Sequence, residues 1–337
     1  MQLQTQPAAA QREPDLSPDR IQSESLPAAP RPQHQPQGGP AAASRAICVA
    51  EPGRVYVTHA QGAECIAYFA TVAGRPDPAT PTVFFFDGDV PVAAVQRPDF
   101  STIHVGGMRS TLEALAQRLR VRFVYVARPG VFGSSGDHGQ RRRPKEMLSM
   151  SAAVDAIKAL YGIDRIVLAG QSGGATIAAA LLTLGRRDVA CAVLGSGGML
   201  VTEDILHFRL QSGEPPTAPS VLKRTYFDPG DHIAGVVRDA RRRIFVLGDP
   251  GDTVVPFQLQ RMFAERLEAS GHAAVVIEIA AHGQNRHGSL HMTLPAAGKC
   301  ALGAGDNRIV DRIAPSPGRV QTEPSLPPGH DPGIDRN

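Results

Sequence analysis

The sequence predicts one α/β domain: a mainly parallel central sheet flanked by helices, with a short cap excursion and disordered termini. Three observations lead there. Strand-like and helix-like segments alternate through the middle of the chain. The strand-like segments are mostly continuous apolar runs, the pattern of strands buried on both faces and not of strands with one wet face. Prolines, finally, crowd the two ends of the chain.

At 337 residues, 42% hydrophobic and 20% charged, the chain has enough apolar material for a substantial core. The first 40 residues hold eight Pro and eight Gln, and residues 313–337 hold six Pro. Proline cannot donate a backbone hydrogen bond, and neither end has the large apolar side chains needed to offset the entropy of ordering. Residues 1–45 are therefore expected to be a disordered arm, 46–312 the folded domain and 313–337 a disordered tail.

Within the domain, residues 54–58 and 64–71 read as an antiparallel hairpin around the Gln61-Gly62 turn. Residues 81–86, with the run Val83-Phe84-Phe85-Phe86, form a strand buried on both faces, followed by a long Gly/Pro-containing loop. Leu112, Leu115 and Leu119 recur at helical spacing over 109–120, and 122–127 is another buried strand. Residues 144–161 place Met147, Met150, Val154, Ile157 and Leu160 on one helical face, opening on Pro144 and closing before Gly162. The expected order continues with strand 165–169, helix 173–184, strand 189–194, an excursion over 199–241, strand 243–247, helix 256–269 and strand 273–279.

Composition excludes several functions. With 35 basic and 32 acidic residues the net charge is +3, too small to define a nucleic-acid or membrane-surface binder. The arginine runs at 141–143 and 241–243 carry no interleaved aromatics and read as solvated rims. No apolar stretch is long enough for a membrane span, and the first residues lack a basic-then-apolar signal pattern. Cys48, Cys65, Cys191 and Cys300 lack the spacing of a zinc or dithiol site and read as idle buried thiols. The expectation is a soluble, cytoplasmic protein without metal or cofactor; the sequence leaves the oligomeric state open.

The chemistry concentrates at Gly170-Gln171-Ser172-Gly173-Gly174, which joins strand 165–169 to an apolar helix. A strand that turns sharply into a helix holds its middle residue in a strained conformation and needs small flanking residues. Ser172 would stand above the sheet edge, beside the N–H of Gly173 and the positive end of the helix dipole. A serine hydroxyl needs a base and an orienting carboxylate, each expected at a later strand end. After strand 243–247 come Asp249 and Asp252. Asp252, deeper in the loop and ahead of Val254-Val255, is the candidate acid, while Asp249, before Pro250, suits a turn. After strand 273–279 come His282, His287 and His291; His287 is the favoured base, with His282 the alternative. Ser134, Ser135 and Ser196 lack the strand-to-helix context and read as turn residues, and His138 reads as a solvated loop histidine.

With its serine, acid and histidine in this chain order, the segment from Val55 to Ala304 resembles the α/β-hydrolase superfamily of serine hydrolases. The resemblance implies that fold and a Ser172-His287-Asp252 triad acting through an acyl-enzyme on a small-molecule acyl substrate, most simply a carboxylic ester. It implies an oxyanion hole from the N–H of Gly173 and a second main-chain donor in Phe86-Asp87-Gly88-Asp89, with Asp89 the candidate. It places residues 199–241 where relatives insert a cap. The same triad would serve a peptidase or an acyltransferase, and a catalytically inactive hydrolase-like binding module is the alternative from outside enzymology.

Overall fold

The computed structural model describes residues 45–71, 79–91, 94, 97–306, 308 and 309. The arm and tail expected to be disordered lie outside these residues, except that Arg45 already opens a helix, α1 (Arg45–Ala50).

Eight strands form one sheet: β1 (Arg54–His59), β2 (Gly62–Ala70), β3 (Thr82–Phe86), β4 (Phe123–Val126), β5 (Ile166–Gln171), β6 (Val189–Gly195), β7 (Arg243–Gly248) and β8 (Ala274–Glu278). Their order is β1-β2-β4-β3-β5-β6-β7-β8. The β1–β2 and β2–β4 pairs are antiparallel, and every pair from β4 to β8 is parallel. The parallel strands are the ones that read as continuous apolar runs. In β3, Phe84 and Phe86 join the core on one face and Val83 and Phe85 the core on the other, all of them fully buried. Each buried Phe side chain contributes roughly 1.5–3 kcal/mol of transfer free energy, so both faces have to be covered.

Helices supply that cover. Helices α3 (Pro144–Tyr161), α4 (Gly173–Thr183) and α7 (Phe257–Ala269) pack on one face, and α2 (Pro98–Leu119) and α8 (Leu290–Ala301) on the other. Helix α3 has the expected bounds because local signals set both ends. Pro144 occupies the first turn, and Gly162 at φ 61° closes the helix with its N–H donating to the Lys158 carbonyl. Between β6 and β7 lie α5 (Val201–Gln211), α6 (Pro219–Thr225) and two 3₁₀ turns at Pro229–Asp231 and Ile233–Gly235.

Three expectations need correction. Helix α2 begins at Pro98 and not at 109: proline fixes its first turn, and burial of Phe100, Met108, Leu112 and Leu115 offsets the roughly 1 kcal/mol cost of each of the exposed Gly106 and Gly107. The cysteines are not idle thiols. Cys48 pairs with Cys65, tying α1 to β2, and Cys191 pairs with Cys300, tying β6 to α8. The spacing gives no sign of this because a helix packed on the sheet brings each pair together, at Cα separations of 5.6 and 6.3 Å. Buried disulfides are typical of oxidising compartments, so the cytoplasmic expectation loses the support it drew from free thiols. Lastly, the arginine runs are not simply solvated rims: Arg242 is buried and donates to the carbonyls of Val189, Val237 and Arg186, which close the end of the sheet. No helix among the described residues is long and apolar enough to cross a membrane.

Candidate active site

Strand β5 ends in Gln171, and α4 begins at Gly173, leaving Ser172 alone at the junction. Its backbone lies at φ 54°, ψ −126°, a conformation costing a non-glycine residue on the order of 1–3 kcal/mol. Its neighbours hold it there. The Ser172 N–H donates to the Gly195 carbonyl at 2.8 Å, and the Ser172 carbonyl accepts from Ala175 N at 2.9 Å. The flanking glycines are steric requirements: a Cβ on Gly170 would lie 2.2 Å from the Gly174 carbonyl oxygen. Ser172 thus stands at the C-terminal edge of the parallel strands, at the head of a fully buried helix.

Two loops from the same sheet edge meet it. After β7, Asp252 accepts from the N–H groups of Val254 and Val255 at 2.9 and 3.0 Å through Oδ1, leaving Oδ2 for His287 Nδ1 at 2.8 Å. The histidine loop is pinned by Asp249, which accepts from Gly251 N and Ala281 N, both at 2.8 Å, and pairs with Arg286 at 2.7 Å. Asp249 therefore shapes the loop that carries His287. Gln171 ties the serine turn to the same loop, donating from Nε2 to the His287 carbonyl at 3.2 Å.

The His287 ring is 7% exposed, and its Nε2 is buried without a hydrogen-bond partner among the described residues. His287 and Ser172 line one cavity of about 410 Å³. His282 is exposed and stacks on His291, ring centroids 3.6 Å apart. The structure therefore places Ser172 and His287 on one cavity and gives the bond to Asp252 to His287, not His282.

Gly88 and Asp89 line the cavity as well. The turn before them is fixed by Asp87, which accepts from Gly88 N at 2.8 Å and from His104 Nε2 at 2.5 Å. Gly88 N is already engaged by the Asp87 side chain. Gly173, first residue of α4, has an N–H without an intrahelical partner. The Asp89 carboxylate lies beside it, since a Cβ on Gly173 would be 2.1 Å from Asp89 Oδ1. That carboxylate is neutralised by three guanidinium groups: Arg128 at 2.6 Å, Arg142 at 3.0 Å and Arg141 at 3.1 Å. Burial would raise the Asp89 carboxyl, but Arg142, Arg128 and Arg141 outweigh it and hold it well below the usual carboxylate range.

Several site residues gave no usable signal in the sequence. Arg141 and Arg142 line the cavity, correcting their reading as a solvated rim. Arg128, fully buried, also pairs with Glu146 at 2.9 Å. His138 is buried, not solvated; it accepts from Val90 N at 3.1 Å and is pushed down to about 4 by burial and by Arg128, so it stays neutral. The excursion between β6 and β7 contributes Asp204, Ile205, Phe208 and Tyr226 to the wall. Among the described residues no cluster of His, Cys, Asp or Glu fits a metal ion.

No protein-family model and no curated protein sequence matches this chain. Solved structures do resemble it. Est1E from Butyrivibrio proteoclasticus, solved with ferulic acid bound, aligns with a TM-score of 0.53 and 13% identity over 74% of this chain and 98% of Est1E. The Pyrococcus furiosus esterase Pf2001 aligns with a TM-score of 0.51 and 16% identity over 79% of this chain and 97% of the esterase. The fold is the α/β-hydrolase fold, as the sequence resemblance implied.

Proposed function

We propose that the protein is a serine hydrolase that cleaves a carboxylic ester through Ser172, His287 and Asp252. The observation that carries the reading is one constellation: a strained serine at a strand-to-helix junction shares a cavity with a histidine whose Nδ1 is held by a buried carboxylate and whose Nε2 is buried and unpartnered. A structural histidine with that burial would be expected to satisfy both ring nitrogens. A general base must leave one of them for the proton it takes.

The chemistry follows from the geometry. His287 Nε2 accepts the Ser172 hydroxyl proton as Oγ attacks the ester carbonyl carbon. Asp252, bonded to Nδ1, fixes the imidazole tautomer and stabilises the imidazolium. The developing oxyanion is held by Gly173 N and Asp89 N, donors of a kind worth about 3 kcal/mol each. The negative charge of Asp89 does not oppose it, because three guanidiniums compensate that charge. The proton passes from Nε2 to the leaving alcohol. Water then attacks the acyl-enzyme by the same route and releases the acid. The segment 199–241 acts as a cap whose Phe208 and Tyr226 shape the substrate pocket.

Labelling with a fluorophosphonate tests this. Wild type and His282→Ala should label, whereas Ser172→Ala and His287→Ala, shown to be folded by circular dichroism, should not. Labelling that survives in Ser172→Ala would refute the assignment. A folded wild type that neither labels nor turns over esters would favour a binding module.

A further inference from the structure

We propose that Arg141 and Arg142 form a carboxylate-binding subsite in the catalytic cavity, so that the preferred substrates are esters carrying a free carboxylate near the scissile bond. The inference rests on the hydrolase reading of the same site and names the class of substrate that the site selects.

Position comes first. Arg141 and Arg142 lie on the connection between β4 and α3 and line the same cavity as Ser172 and His287. Charge is the second argument. Arg128, Arg141 and Arg142 converge on one carboxylate, Asp89, and Arg128 also pairs with Glu146. Asp204 lines the same cavity but makes no ion pair with Arg141 or Arg142 among the described residues, so both of these guanidiniums rest on the single oxygen Asp89 Oδ2.

Hydrogen bonding gives a third, independent argument. Asp89 Oδ1 is taken by Arg128, while Oδ2 is shared by Arg141 Nε and Arg142 Nη2. A guanidinium has five N–H donors in a rigid fork, and Asp89 cannot accept them all. Arg142 Nε is buried without a partner among the described residues. A buried charged donor left unmade is costly to the empty protein, and a shift of the Arg142 side chain that turned this N–H toward a ligand carboxylate would remove that cost.

The backbone also spends strain to hold this arginine. Arg142 lies at φ 62°, in the left-handed region that bulky side chains avoid. It is clamped from both sides: its N–H donates to Glu146 Oε2 at 2.5 Å and its carbonyl accepts from Phe227 N at 2.7 Å. The second clamp comes from the segment between β6 and β7, so cap and subsite are built as one piece. A phosphate dianion fits less well than a carboxylate, because its second charge would face Asp204, which also lines the cavity.

The test compares two esters of equal length, mono-4-nitrophenyl adipate and its methyl-capped neutral counterpart, on the full chain. Wild type should favour the monoanion by about tenfold in kcat/KM, mainly through KM. Arg141→Gln and Arg142→Gln should each lower that ratio at least severalfold, with Arg141→Lys recovering part of it. A wild-type ratio at or below one, or a ratio unchanged in the folded variants, would overturn the proposal. Should Arg142→Gln not fold, Arg141, whose side chain is 36% exposed, carries the comparison alone. Calorimetric binding of monomethyl adipate to Ser172→Ala, with and without Arg141→Gln, separates this inference from the hydrolase reading. Binding of this monoanion that weakens about tenfold in Arg141→Gln supports the subsite even if neither ester turns over, and absence of its binding sinks it even if neutral esters are hydrolysed.

Discussion

Replacing Asp204 by Asn should stabilise the protein at neutral pH and leave it unchanged in acid. Asp204 lies in α5 with its carboxylate against Gly198, where a Cβ would be 2.5 Å from Oδ2. Burial is the main cause that pushes its carboxyl up to about 6 from 3.8; Arg142 opposes the rise, Asp89 adds to it, and His287 and His207 oppose it. A carboxyl whose folded pKa is raised costs stability wherever the unfolded chain has lost its proton and the folded one must give it up. The cost is absent below about pH 4, grows between pH 4 and 6, and is complete above pH 6. About two pK units at about 1.4 kcal/mol each set its ceiling near 3 kcal/mol. Asn keeps the shape and never ionises. Urea unfolding should therefore give Asp204→Asn an advantage of about 1–3 kcal/mol near pH 7.5, shrinking to nothing near pH 4. Equal stabilities near pH 7.5, or the same difference at both pH values, would refute the reasoning.

Further outcomes follow from the same geometry. Asp252→Asn keeps the size of the side chain but presents the wrong hydrogen-bonding pattern to His287 Nδ1, so kcat on a 4-nitrophenyl ester should fall by about 10⁴ with little change in KM. Gly174→Ala would place a Cβ 2.0 Å from the Phe86 carbonyl oxygen, so thermal denaturation should show a loss of several kcal/mol or no folded protein. The Cys191–Cys300 bridge closes a loop of 109 residues, and Cys48–Cys65 one of 17. Chain entropy puts their contributions at about 4.7 and 3 kcal/mol. Denaturation with and without reductant should accordingly show a larger loss for Cys191→Ser than for Cys48→Ser.

What could be read from the sequence was whatever local chemistry dictates. Val83-Phe84-Phe85-Phe86 can only be a strand wrapped on both faces, and Pro144 with Gly162 sets both ends of α3. The serine turn was legible because Gly170, Ser172 and Gly174 carry a steric requirement in their spacing. Asp252 and His287 were legible as loop residues after β7 and β8, and the structure brings them within 2.8 Å of each other. The rest depends on contacts distant in sequence. Arg128, Arg141 and Arg142 meet Asp89 only once β3 and β4 lie side by side. His138 looks like a loop residue until Val90 is packed over it. The disulfides are hidden for the same reason, and the start of α2 lies in a stretch that reads as a Gly/Pro-containing loop until Phe100 and Met108 are seen to be buried.

The most direct measurement is mass spectrometry of the protein quenched in acid during turnover of a 4-nitrophenyl ester. An increment equal to the acyl group should sit on the peptide containing Ser172 in wild type, accumulate when deacylation is slowed, and vanish in Ser172→Ala. An acyl group found on another residue, or ester turnover that persists in Ser172→Ala, would contradict the account.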